Sequence, residues 1–120
     1  MSTISPPDTV LAALTRAIES QDHDAFGALL AENVEAISYS VRTPPGAPAR
    51  IEGRDALVAL YREVPAELTH TISNGVVGQD RVAFTLTCTY PTGQLVVVNT
   101  ILDIRDGLVA RQVSVETWDE

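Results

Sequence analysis

An α+β fold, with helices in the first half of the chain packed on one face of an antiparallel sheet, is what the sequence predicts. Three observations predict it. Apolar residues recur at helical spacing over residues 9–20 and again in "RDALVALYREV". After Pro65 the period changes to two and stays so to the end of the chain. Asp106-Gly107 separates two of these alternating runs, and both positions tolerate the positive φ of a tight hairpin.

Residues 1–7 read as a flexible arm stopped by Pro6-Pro7, leaving one domain over 8–120. Asp8 is placed to cap a first helix carrying Val10, Leu11, Leu14, Ala17 and Ile18. "SQDHDAF" breaks that helix. Asp22 then caps a short second one with Phe26, Leu29 and Leu30 on one face. "ENVEAISYSV" predicts a strand over 34–41, and "RTPPGAPAR" is a loop. Ile51 begins a brief extended piece. Gly53 precedes a third helix with Ala56, Leu57, Leu60 and Tyr61 on one side, ended by Pro65. Strands follow over 68–77, 81–90, 94–105 and 108–118. Asn74-Gly75 reads as an irregularity within the first of these, since a turn there would strand Val76-Val77.

The bulk properties exclude whole classes of function. A net charge of −8 repels phosphate backbones and anionic membranes, so neither is an expected partner. All eight basic residues are arginine, which removes Schiff-base chemistry and the P-loop. One cysteine and two histidines, widely spaced, give no metal signature, and no cofactor is expected. The start "MSTISPPDT" has no basic or apolar stretch, no run is long enough to cross a membrane, and the lone Cys88 forms no internal disulfide. The cytoplasm is therefore the expected location. In "QLVVVNTILDI" both faces are apolar, so both should be covered. Helices supply one cover, and a second copy meeting the first through the sheet is the expected source of the other.

The succession of a helix, "DHDAFGALLAENVEAIS", a proline-rich loop, "IEGRDALVALY" and four strands ending "DGLVARQVSVETW" resembles the nuclear transport factor 2-like superfamily. Its SnoaL-like and ketosteroid-isomerase-like branch is nearest, and the resemblance spans about residues 8–118. It implies a curved sheet wrapped around the helices as a cone, with an internal apolar pocket for a small hydrophobic molecule. It implies, further, cofactor-independent acid-base chemistry of the isomerase, cyclase, dehydratase or epoxide hydrolase type, or a non-catalytic ligand-binding or dimerisation module. The standard ketosteroid isomerase mechanism does not carry over. Its tyrosine, base and aspartic acid positions fall on Leu14, Ser38 and about Val97, none of which can perform the role. The Asp-Arg-Asp set of the superfamily's epoxide hydrolases has no clear match either.

The last strand poses the main question. Strict alternation puts Val109, Val113 and Val115 in the core and leaves Gln112, Ser114 and Glu116 to water. The resemblance implies the reverse, with Gln112, Ser114, Glu116 and Trp118 inward and Glu116 as the catalytic proton-transfer group. Tyr61, His70 and Asn99 are candidates to orient a ligand. Tyr39 and Ser38 face opposite sides of one strand, so only one of them can line the pocket. Cys88 and Tyr90 share the apolar face of Val82, Phe84 and Leu86. Asn99 lies among Leu95, Val97 and Ile101, where a buried amide needs a partner. Trp118 is expected at the mouth, and His23, between two aspartates, in solvent.

Overall fold

The computed structural model describes residues 6–119. Helix α1 spans Pro7–Glu19, α2 His23–Ala28 and α3 Arg54–Arg62. The strands are β1 Leu30–Tyr39, β2 Ala49–Glu52, β3 Thr69–Val77, β4 Arg81–Thr89, β5 Leu95–Arg105 and β6 Leu108–Trp118. The α+β reading and the cone hold, with four local corrections. Pro6 is the N-cap of α1 and Pro7 its first residue, so Asp8 sits in the first turn rather than at the cap. Pro at that position suits a helix start, where its missing N–H has no partner to lose. The expected arm falls mostly on residues 1–5, outside the described residues.

The second correction concerns Leu29 and Leu30. Helix α2 closes at Ala28, and Leu30 opens β1, four residues earlier than alternation suggested. The Leu29 carbonyl accepts from Val109 N–H at 2.8 Å, which commits the chain to the sheet at that point. The cap by Asp22 is as expected: its carboxylate accepts from Ala25 N–H at 3.0 Å. Third, the extended piece at Ile51 is a true strand, β2, paired antiparallel with β1. Gly53 links it to α3 at φ 95°, a conformation that favours glycine, and donates to the Val34 carbonyl.

Fourth, the sheet is mixed. Its order is β2-β1-β6-β5-β4-β3, and β1 runs parallel to β6 while every other pair is antiparallel. The edges β2 and β3 do not meet, so the cone stays open. Asp106 and Gly107 both take positive φ in the β5–β6 hairpin, as its turn type requires. Asn74 also takes positive φ, where the β3–β4 register slips between Ser73 and Val76; the irregularity is a bulge within one strand.

Helix α1 lays Val10, Leu14 and Ala17 across the inner face of the sheet, where they meet Phe26, Leu57, Val82, Phe84, Leu102 and Val109. The outer face is different. Ile101 is 47% exposed and Val115 58% exposed, and nothing among the described residues covers them. No helix among the described residues is long and apolar enough to cross a membrane.

Candidate functional site

The question posed by the last strand is decided by a bulge. Asp103 pairs with Arg111, but its neighbour Ile104 pairs with Val109, so Ala110 is an extra residue without an opposite number. Two consecutive residues therefore face outward, and the alternation changes phase. Val109 points in and is fully buried; Gln112 and Ser114 also point in and are buried; Val115 points out. Glu116 follows the inward set, half-buried.

Across the sheet the inward side chains form rows. Val82, Leu102, Gln112, Ala36 and Ile51 make one, and Phe84, Thr100, Ser114, Ser38 and Ala49 the next. Leu86, Val98 and Glu116 make a third, and Cys88 beside His70 begins a fourth. The helices close over these rows with Leu14, Phe26, Leu57 and Tyr61. Between sheet and helices lies a cavity of about 500 Å³. Its walls are mainly apolar, and β6 contributes the polar side chains of Gln112, Ser114 and Glu116.

Tyr61 and Gln112 form the best-defined polar contact. The Gln112 amide Nε2 donates to the Tyr61 hydroxyl oxygen at 2.9 Å. The phenol's own proton is thereby left for another acceptor. Burial pushes the Tyr61 hydroxyl above its ordinary pKa, Gln112 opposes the shift, and Cys88, once ionised at high pH, and the Glu116 charge add to it. Tyr61 is thus a neutral hydrogen-bond donor. It also stands edge-on to Phe26, with ring centroids 4.7 Å apart. Tyr61→Phe will leave the Gln112 amide without its acceptor and lower stability by ~1–2 kcal/mol in urea unfolding. In Tyr61→Phe/Gln112→Leu the second change should cost little more. Strict additivity of the two single losses would show that the hydrogen bond carries no coupling.

His70 and Cys88 pair directly across β3 and β4, with Nδ1 3.2 Å from Sγ. Burial lowers the His70 pKa and nearby His23 lowers it further. Burial, reinforced by the Glu116 charge, pushes the Cys88 thiol up to about 11. Both shifts favour a neutral imidazole beside a neutral thiol. This is the opposite of the activated thiolate that covalent catalysis needs.

Of the residues singled out from the sequence, Tyr61, His70, Cys88, Ser114 and Glu116 come together in the cavity. Four do not. Tyr39 faces away while its neighbour Ser38 lines the wall, as the alternation of a strand demands. Tyr90 lies one residue beyond β4, where the inward row has ended. Asn99 is exposed on the outer face; its carbonyl accepts from the Thr85 hydroxyl at 2.9 Å, so the partner its amide needs is a side chain of the neighbouring strand. Trp118 is 45% exposed, with the Arg42 guanidinium 5.3 Å from its ring centre. It shares the parity of Glu116 but lies past the cavity wall.

The structure adds residues that the sequence reading passed over. His23 reaches the cavity instead of solvent, and Thr100 lines it opposite Ser114, their hydroxyls 3.3 Å apart. Thr100 was detectable, as the one polar residue on the Val96, Val98, Leu102 face of β5. His23 carried no such signal, because its neighbours in sequence are aspartates. Among the described residues no cluster of histidine, cysteine, aspartate and glutamate is arranged to hold a metal ion.

The family model of the SnoaL-like domain matches residues 11–112. Among solved structures, the fold is similar to that of an NTF2-like protein of unknown function from Mesorhizobium loti (TM-score 0.76, 19% identity, covering 92% of this chain and 90% of that one). It is also similar to the Δ5-3-ketosteroid isomerase of a Mycobacterium species (TM-score 0.70, 20% identity, 97% and 100% covered). A SnoaL-like protein of unknown function from Burkholderia thailandensis E264 gives a TM-score of 0.70 at 18% identity, with 97% and 100% covered. At such identities the likeness is one of fold. No curated protein matches the chain.

Proposed function

The chain belongs to the SnoaL-like domain family, and from that premise we propose that its cavity binds a small hydrophobic molecule and moves a proton on it without a cofactor. The observation that carries this reading is the convergence of Glu116 and Tyr61 on one apolar cavity of about 500 Å³. Glu116 is the proton acceptor. The Tyr61 hydroxyl, its oxygen already engaged by Gln112, donates to the oxygen of the substrate on which negative charge develops. His70, neutral, orients the bound molecule. Enolisation of a carbonyl compound is the simplest reaction these groups support. Isomerisation, cyclisation and dehydration share that first step.

The test is direct. The protein is incubated in D2O with a panel of hydrophobic ketones, and exchange of the α-protons is followed by NMR. Protein-dependent exchange that Glu116→Gln abolishes supports the reading. Binding of ketones with no protein-dependent exchange would leave a ligand-binding module, the second reading that this cavity allows.

The uncovered outer face supports a homodimer through the sheet. Ile101 and Val115 stand exposed, as does Leu95 at 38% exposure farther along β5, and a second copy would bury them. Sedimentation should find a dimer that Ile101→Arg converts to monomer. A monomeric parent protein would refute this arrangement.

A further inference from the structure

The permanent charges around the cavity are of one sign. Glu116 faces it from β6 and Glu63 from the end of α3, and no arginine lines it. With no lysine in the chain, no permanently positive side chain reaches the space. Five of the eight arginines are engaged elsewhere: Arg54 with Asp55 at 3.6 Å, Arg62 with Asp24 at 2.7 Å, Arg81 with Asp103 at 2.7 Å, Arg111 with Glu35 at 3.1 Å, and Arg42 over Trp118. His70 is held neutral. Among the described residues Glu116 has no ion-pair partner. A half-buried carboxylate between apolar walls is poorly compensated, and a cation of the right shape would compensate it. Three aromatic rings, Phe26, Tyr61 and Phe84, line the same space. Ring faces attract ammonium ions, more strongly when water is excluded.

From these observations we propose that the cavity selects its ligands by charge. It takes hydrophobic amines in their ammonium form, with the nitrogen against Glu116 and the carbon skeleton against Leu86, Val98 and Phe84, and it rejects the corresponding carboxylates. This rests on the reading of the cavity as a ligand site, and is independent of whether Glu116 moves a proton. Where the reaction does occur, such amines compete with its uncharged substrate. Anionic compounds, including phosphate and thioester conjugates with charged carriers, fall outside its range.

The experiment uses three probes on one skeleton: 1-naphthylmethylamine, 1-naphthalenemethanol and 1-naphthoate, each titrated into the whole protein at pH 7 by calorimetry. The amine should bind roughly tenfold more tightly than the alcohol, and the carboxylate more weakly than either. Glu116→Gln should erase the advantage of the amine. Its affinity for the alcohol should fall far less than its affinity for the amine, and a urea unfolding transition that matches the parent's shows that the variant is folded. Equal affinities for amine and carboxylate in the parent protein, or an amine preference that survives Glu116→Gln, would overturn the proposal while leaving the cavity a ligand site. Failure of all three probes to bind would overturn both.

Discussion

Replacing Glu116 with glutamine should lower protein-catalysed proton exchange by roughly 10²–10⁴-fold, the usual contribution of a positioned general base. Glutamine keeps the length and planar end of the side chain and removes only its ability to accept a proton. The fold should hardly notice. Glu116 stands opposite Val98 near the end of β6, half-buried, with no ion pair to break among the described residues. Urea unfolding should therefore move by no more than about 0.5 kcal/mol, as for a substitution that opens no cavity and orphans no partner. A loss of exchange together with a large loss of stability would point to a damaged cavity wall instead. Unchanged exchange would remove Glu116 from the mechanism.

The largest effect on stability is expected from the helix that faces the sheet. Leu14 is 1% exposed and belongs, with Val10 and Ala17 of α1, to the core cluster that includes Phe84 and Leu102. Leu14→Ala removes most of a buried side chain. Substitutions of this kind cost about 2–5 kcal/mol, the spread reflecting how much new void they leave. Leu14 also lines the existing cavity. Part of the lost volume thus joins space that is already open, and the loss should lie near about 2–3 kcal/mol. For a domain of this size that is a large share of a total of about 5–15 kcal/mol. Urea unfolding with an unchanged slope would measure it. A loss below about 1 kcal/mol would mean that α1 is not anchored through this face.

The two effects differ in kind because the two residues were differently legible. Leu14 sits in a helical repeat with Val10, Ala17 and Ile18, and its burial follows from spacing alone. Glu116 sits in an alternating strand, where burial follows from phase. One unpaired residue, Ala110, reverses that phase, and nothing in "DGLVARQVSVETW" announces it. Alternation taken literally buries Val113 and Val115 and leaves Gln112 and Ser114 wet. The structure buries Gln112 and Ser114 and exposes Val115. Asn99 failed for a related reason. Both faces of β5 are apolar, so composition showed that each should be covered without showing which one the helices cover.

The elements, their order, the helix faces and the hairpin at Asp106-Gly107 were written in the chain itself, because each depends on residues a few positions apart. The direction of Glu116, the meeting of Tyr61 with Gln112 and of His70 with Cys88, and the parallel pairing of β1 with β6 were not. Each joins segments distant in sequence, and its geometry is set by strand register and by one bulge. Register is a property of two strands together, and a single strand's pattern carries only half of it.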